Sequence, residues 1–510
     1  MSSSTREQSN KSPLRVDSLA DSVMVLLTLT VVQRLVGFVR GVLLCRWLEP
    51  DELGRWDMAF SFLMLAAPLA VLGVPGSFGR YAEYFRQRGH LRLFVRRTTL
   101  ASAALAGGAI GTAWLWQEQL SRLVFGSADH GPLIATLLVA LSAVIAYNFL
   151  VELVTALRMA RLSAYMQFVN SMLFATVAIG LMLVGRLDAG AVVIAYGVAS
   201  LLSSLVVLYW LRSARRGKAE TTNTPPPQSF WSKLAPFAAW IWLTNLLWNL
   251  FEMIDRYMII HFSGLSAGEA IVQVGHYHSS RVVPLLMVAV AGLIGRVILP
   301  HLSHDWEAGR RRKVGERLNL TLKLLALAMF AGSVAVLFAA PLLFDWAFAG
   351  KYDGGLAVLP WTLTYCIWLG IGAVAHSYLW CAEKARLGCL AMGVGLIANI
   401  GLNLLLLPPL GLLGAVLATT VANAISLAML LWLSSRLGMR LHRATIVLLM
   451  TPLVLGFGPL VAAAVLLAVL LEVATRDRLL NRSEKRLLIE VGSGYVEKAR
   501  GLLRRKQAAA

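Results

Sequence analysis

Charged residues embedded in long apolar stretches are the positions of this sequence that can do chemistry. Arg34 and Arg40 both lie in the first such stretch. Even the membrane-insertion scales with the smallest penalties assign a cost of roughly 2.5 to 3.5 kcal/mol to an arginine at the centre of a membrane helix. Arg34 is the deeper of the two and needs a partner or ligand, whereas Arg40 either binds a ligand or extends to the outer interface. Their six-residue spacing separates them by about 120° around a helix, so they need not share one ligand.

A second apolar stretch carries a polar stripe. Asn245, Asn249, Glu252 and Arg256 fall at positions i, i+4, i+7 and i+11, which is one face of a helix, and Asp255 lies beside it. We expect this stripe to face the bundle or a wet cavity. Two interpretations stay open: the carboxylates neutralise Arg256 internally, or they take up a proton or Na⁺ that drives transport.

Several other polar or aromatic residues occupy apolar stretches. Glu152 is a further candidate for ion coupling. Trp242 and Trp248 offer flat surfaces that suit sugar rings, although packing is the favoured interpretation. Asn399 and Asn403, spaced i, i+4, are typical of residues that hold membrane helices together.

The whole-chain composition supplies the setting. The chain has 510 residues, of which 58% are hydrophobic and only 15% are charged, with a mean hydropathy of +0.68. These proportions exclude an ordinary globular enzyme and predict an all-α polytopic membrane protein.

Apolar segments long enough to cross about 30 Å of hydrocarbon predict twelve membrane helices. They cover approximately residues 22–44, 56–79, 98–116, 131–157, 164–185, 190–211, 234–260, 272–300, 318–343, 356–381, 388–407 and 411–435. A further apolar block, 444–474, is long for one crossing and short for two, and Gly456, Gly458 and Pro459 at its middle favour a hairpin. The total is therefore 12 to 14 helices.

The basic residues predict the orientation. With the N-terminal tail, 1–21, in the cytoplasm, the segments on that side hold 36 Lys and Arg and the opposite loops hold five. The positive-inside rule then places both termini in the cytoplasm, including the basic tail 475–510. The formal net charge of +20 is mostly this topology signal, so no nucleic-acid partner is expected. Arg80 and Arg296 mark the cytoplasmic mouth.

An internal repeat divides the chain. The segments Gly76–Arg80 and Gly292–Arg296 share the pattern Gly-x-x-Gly-Arg at an offset of 216 residues, and the same offset places Arg40 on Arg256. We predict two six-helix lobes in parallel orientation, 22–211 and 234–436, joined by a cytoplasmic linker, 212–233.

The sequence offers no catalytic machinery. It has no phosphate-binding loop, and its four cysteines have no metal or redox spacing. The spacings of His276 and His278, and of His301, His304 and Asp305, are compatible with a metal, but no further ligand clusters with them. Loops between the predicted helices are too short to hold a glycosyltransferase domain. We therefore expect a transporter without a cofactor or metal, and not an enzyme.

Three regions carry a resemblance to a known family. The segments Gln33–Arg40 and Leu48–Gly54 resemble the opening of bacterial polysaccharide flippases of the multidrug/oligosaccharidyl-lipid/polysaccharide exporter superfamily. Asp255–Tyr257 with Gly275–Tyr277 resembles the start of their second lobe. Asn399–Asn403, continuing to Ala418 and Thr419, resembles their signature near helices 11 and 12.

The resemblance implies a V-shaped transporter in the inner membrane that moves a polyprenyl-pyrophosphate-linked oligosaccharide to the outer leaflet by alternating access. It implies that Arg34, Arg40 and Arg256 bind the pyrophosphate, and that Arg80 and Arg296 attract it. The segment Arg34–Arg40 is also similar to the first helix of lipid II flippases, but the residues after it depart from that pattern. The exopolysaccharide or O-antigen type is therefore expected.

Such a protein works among membrane lipids, and a polysaccharide polymerase and assembly proteins are conceivable partners. The alternatives are a drug exporter of the same superfamily coupled to H⁺ or Na⁺, with Glu252, Asp255 and Glu152 as coupling residues, and a scaffold that does not transport.

Overall fold

A computed structural model describes residues 19–215 and 230–486, and these residues form helices and turns with no β-strand. The first half of the chain contains α1 (Leu19–Trp47), α2 (Pro50–Ala70), α3 (Phe78–Gln87), α4 (Leu91–Leu115), α5 (Gln117–Phe125), α6 (Gly131–Ala156), α7 (Ala160–Leu183) and α8 (Ala189–Arg215). The second half contains α9 (Phe230–Phe262), α10 (Ala267–Glu307), α11 (Arg311–Leu342), α12 (Asp353–Cys381), α13 (Ala385–Leu410), α14 (Leu412–Arg436), α15 (Arg443–Met450) and α16 (Pro459–Thr475).

The helices confirm the predicted all-α membrane architecture. Among the described residues, 11 helices are long and apolar enough to cross a membrane, or up to 12 when a bent pair counts as one span. Most of them match predicted crossings to within a few residues.

One predicted crossing, 56–79, is wrong in its bounds. Here α2 ends at Ala70, and the chain turns through residues in positive φ, Leu72 at 46° and Gly73 at 68°, before a 3-10 turn at Pro75–Ser77 and α3. The axes of the two segments differ by 66°. The break follows from local chemistry, because Gly tolerates positive φ and Pro cannot continue the preceding helical hydrogen bonds.

The described residues group into two compact units. The first contains those of Met1–Val282 together with Leu343–Leu356 and Asn399–Ala415, and the second contains those of Val283–Leu342, Ala357–Ala398 and Val416–Ala510. The internal repeat predicts two six-helix lobes, 22–211 and 234–436, and this division stays a prediction.

Two aromatic clusters fill the first unit. Phe78 lies against Phe94 and Phe149 with ring centroids 5.4 and 5.1 Å apart, and this cluster fixes the start of α3 against α4 and α6. A separate group, formed by Trp56, Phe60, Phe174 and Tyr196, joins α2, α7 and α8.

Glycines allow α2 and α10 to approach closely in the first unit. A Cβ added to Gly275 would lie 1.9 Å from the Pro50 carbonyl oxygen, and one added to Gly54 would lie 2.0 Å from the Ile271 oxygen. Backbone atoms block both positions, so only glycine fits. This contact sets the distance across which the polar side chains of α2 and α10 meet.

The second unit contains the C-terminal helix pair. Residues 443–457 form α15 and a 3-10 continuation, and Gly458, with φ of 99°, separates them from α16. Residues at the start of α15 and near the end of α16 line one groove, so the two helices are antiparallel. Residues 443–475 therefore form two short antiparallel helices, and the predicted hairpin of two membrane crossings in 444–474 stays a prediction.

Candidate functional site

The first unit contains a buried ion pair between α2 and α9. Arg256 donates from Nε to Asp57 Oδ2 at 2.5 Å, and the two side chains are only 7% and 2% exposed. Arg256 also donates to the Glu252 carbonyl oxygen at 3.0 Å. Since an unpaired charge at such a position would be very costly, Asp57 is the partner that makes Arg256 tolerable.

Asp57 has a second partner on α10. Nδ1 of His278 lies 2.8 Å from Asp57 Oδ1. One carboxylate from α2 therefore holds side chains of both α9 and α10. Sequence reasoning missed Asp57, because it lies near the end of its predicted crossing where a carboxylate can reach water. The available signal was that the embedded Arg256 needed an acid.

The neighbouring residue on α9 faces a different set of groups. Asp255, 1% exposed, accepts hydrogen bonds from the Nδ2 atoms of Asn399 at 3.0 Å and Asn403 at 3.1 Å, and from the Tyr277 hydroxyl at 3.1 Å. The asparagines therefore join α13 to α9, as predicted for helix-holding residues, and they do so through a carboxylate. Oδ1 of Asn403 is buried without a hydrogen-bond partner. Carboxylate and amide oxygens next to each other can accept a proton or a cation.

The arginines of α1 differ from Arg256 in their surroundings. The Arg40 guanidinium carbon lies 3.9 Å from the centroid of the Phe174 ring, and Tyr196 is nearby. No carboxylate of the described residues forms an ion pair with Arg40. A cation–π contact is worth about 0.5 to 2 kcal/mol, so Arg40 keeps an unbalanced charge. Arg34 is exposed on the same helix.

Four other predicted site residues have exposed side chains. Glu252 and Glu152 are exposed on their helices. Arg80 is exposed at the start of α3, with its guanidinium carbon 5.0 Å from the Phe237 ring centroid. Arg296 belongs to the second unit and is also exposed, with a contact of 3.5 Å from Nε to the Gly292 oxygen. That Arg80 and Arg296 lie at the cytoplasmic mouth and attract the headgroup stays a prediction.

The first unit also contains the two predicted tryptophans and one further buried arginine. Trp242 packs against the turn after α2, where a Cβ on Gly73 would meet its Cβ at 2.7 Å, whereas Trp248 is 42% exposed. Sequence reasoning did not select Arg281, which is 4% exposed on α10 and lies over the Tyr277 ring at 5.1 Å. A buried arginine in a membrane-spanning helix is a functional candidate by its energetic cost alone.

These features define a class of protein. A helical membrane protein that has charged residues in its spans and neutralises some of them internally has the architecture expected of a transporter. Residues 19–306 match the family model for polysaccharide biosynthesis proteins, which is more than half of the chain. The chain belongs to this family. No curated protein matches it in sequence.

Solved structures show the same fold. The chain is similar to the lipid II flippase MurJ in an inward closed conformation, with a TM-score of 0.67 and 12% identity over 87% of this chain and 97% of that one. It is also similar to an inward-facing multidrug resistance MATE family transporter of the MOP superfamily, with a TM-score of 0.58 and 15% identity over 81% and 98%. A MOP superfamily transporter from Pyrococcus furiosus, described as having a binding pocket of reverse polarity, matches with a TM-score of 0.52 and 13% identity over 82% and 95%.

The chain is therefore a member of the polysaccharide biosynthesis protein family, and it has the fold of the MurJ and MATE structures.

Proposed function

We propose that this protein is a transporter, which moves a polyprenyl-pyrophosphate-linked oligosaccharide from the cytoplasmic to the outer leaflet of the inner membrane by alternating access. One observation carries the proposal: Arg40 is embedded in a membrane-spanning helix and packs on an aromatic ring without a carboxylate partner among the described residues. An arginine in that position favours an anionic ligand, and its planar guanidinium suits phosphate oxygens in particular. The membership of the polysaccharide biosynthesis family supports a sugar-bearing cargo.

The headgroup contacts follow from the charges of the three arginines. Arg40 binds the pyrophosphate first, because no carboxylate of the described residues forms an ion pair with it as Asp57 does with Arg256. Arg34, on the same helix, adds a second contact. Arg256 joins only after it exchanges the Asp57 carboxylate for a phosphate oxygen. Arg80 and Arg296 draw the headgroup to the cytoplasmic mouth, while the prenyl chain stays in lipid.

The arginines of α1 provide the test. We expect Arg34→Ala and Arg40→Ala to abolish surface polysaccharide in cells that depend on this protein, with normal protein levels in the membrane. Arg186→Ala is the matched control, because Arg186 is an exposed arginine between α7 and α8. Full export in both α1 variants would remove the phosphate site from the proposal.

A second candidate is a drug exporter of the same superfamily, coupled to H⁺ or Na⁺. The observation that favours it is Asp255, a buried carboxylate surrounded by amide and hydroxyl groups. Coupling at Asp255 is also compatible with lipid-linked cargo, so the two candidates differ in the ligand. An exporter of cationic drugs would tolerate Arg40→Ala, whereas a pyrophosphate flippase would not.

A further inference from the structure

An open groove lies along the antiparallel helices α15 and α16 in the second unit. The groove has a volume of about 440 Å³ and is lined mainly by small apolar side chains, among them Val447, Val465 and Ala468. Pockets for small molecules typically measure roughly 300 to 1,000 Å³. The groove therefore has the size and surface to hold an apolar chain.

Charged side chains stand at one end of this groove. Arg443, Arg478 and Glu472 line it, and Glu472 lies 3.5 Å from Arg476 in an ion pair. Arg443 and Arg478 are exposed, and no carboxylate of residues 19–215 or 230–486 pairs with either. The groove rim therefore has a net positive charge that the protein does not neutralise.

The segment that bears Arg478 has a defined local structure. Asp477 accepts hydrogen bonds from Arg482 Nε at 2.7 Å and Lys485 Nζ at 3.0 Å, which lower the pKa of its carboxyl group. Leu479, the residue that follows Arg478, is only 8% exposed. Arg478 is thus flanked by an ionised, fully engaged aspartate and a buried leucine.

A buried ion pair fastens the same segment to α11. Lys323 Nζ lies 3.0 Å from both carboxylate oxygens of Glu484, and the Lys323 side chain is 1% exposed. The groove rim is therefore held in place from outside the helix pair.

We propose that this groove binds one anionic phospholipid, with its phosphate between Arg443 and Arg478 and an acyl chain along the apolar floor. Charge complementarity selects this occupant, since two arginines without acidic partners suit a phosphate oxyanion. The basic-residue asymmetry predicts that both arginines lie at the cytoplasmic side, where acidic lipids concentrate. The chain's own residues 487–510 fit poorly, because they carry five basic and two acidic residues.

The test is native mass spectrometry of the purified full chain in detergent, titrated with phosphatidylglycerol or phosphatidylcholine of identical acyl composition. We expect one tightly bound phosphatidylglycerol and at least tenfold weaker phosphatidylcholine binding. Arg443→Gln with Arg478→Gln should weaken phosphatidylglycerol about tenfold or more. Ala468→Trp should block the groove without a change in charge. Arg312→Gln with Lys313→Gln removes the same charge from exposed residues at the start of α11 and should leave binding unchanged.

Three results would overturn the proposal. Equal affinity for the two lipids would remove the phosphate contact, and wild-type affinity in the double arginine variant would place the lipid elsewhere. A dimer that forms without lipid and is lost in Ala468→Trp would identify a second copy of the chain as the occupant. None of these outcomes depends on the transported cargo, so the proposed function is tested separately.

Discussion

Asp57 and Arg256 are 199 positions apart in the sequence and form a buried ion pair in the first unit. The same carboxylate contacts His278, so residues of α2, α9 and α10 meet at one group. The adjacent Asp255 binds the asparagines of α13. Because Asp255 and Arg256 are adjacent and serve two polar clusters, this turn of α9 is joined to α2, α10 and α13.

The single variants of the Asp57–Arg256 pair should overstate what the pair contributes to the free energy of unfolding. Asp57→Asn leaves a buried guanidinium with a neutral partner, and we expect a loss of about 3 to 5 kcal/mol in the free energy of unfolding. Arg256→Gln should cost a similar amount. The double variant should lose much less than the sum, because neither charge is left alone. Thermal unfolding in detergent measures all three, and additive losses would show that the two side chains do not interact.

The α2–α10 contact should depend on glycine. Gly275→Ala places a methyl group against the Pro50 carbonyl, so we expect the helices to separate at a cost of about 1 to 3 kcal/mol. Gly268→Ala is the control on the same helix, since no atom lies within 4 Å of its added Cβ. Unfolding temperatures of the two variants give the comparison. A stable Gly275→Ala protein would mean that α2 and α10 are farther apart than described.

The Lys323–Glu484 pair should anchor the C-terminal segment. Glu484→Gln leaves the buried Lys323 ammonium without its counter-ion. We expect the free energy of unfolding to fall by at most about 3 to 5 kcal/mol, the range for a broken buried ion pair. Glu316→Gln breaks the exposed pair with Arg312 and should change stability by less than about 0.5 kcal/mol. Limited proteolysis after Arg476 should accelerate only in Glu484→Gln. Equal protection in both variants would show that the pair holds nothing in place.

Asp255 should combine a structural and a transport role. In Asp255→Asn the three donors face a neutral group, and we expect a loss of about 1 to 3 kcal/mol in stability. If Asp255 takes up the driving ion, transport into vesicles also loses its dependence on the Na⁺ or H⁺ gradient. Asp129→Asn, at an exposed position before α6, should change neither property. Unaltered gradient dependence in Asp255→Asn would restrict Asp255 to structure.

The membrane architecture was predictable from sequence because its cause is local. A helix that crosses lipid must be apolar over its own length, so crossings such as 131–157 and 164–185 were located to within a few residues. The break after Ala70 was missed, because the apolar run continues through it while Gly73 and Pro75 change only the backbone.

The polar clusters were only half predictable. An arginine in an apolar helix needs a partner or a ligand, which is why the sequence analysis selected Arg40 and Arg256. The identity of that partner depends on helix packing, and Asp57 is far away in sequence. Lys323 shows the same limit, since its partner Glu484 lies 161 positions later. Which residues of distant helices form a pair depends on the three-dimensional fold. The periodicity of residues within one helix does not reveal it.

The central claim of the proposed function is that the cargo is a polyprenyl-pyrophosphate-linked oligosaccharide. Depletion of this protein in its native host, followed by mass spectrometry of the membrane lipids, should reveal an accumulating polyprenyl-pyrophosphate oligosaccharide that external sugar-modifying probes cannot reach until the cells are opened. An unchanged lipid pool with intact surface polysaccharide would contradict the flippase proposal and favour the exporter of small molecules.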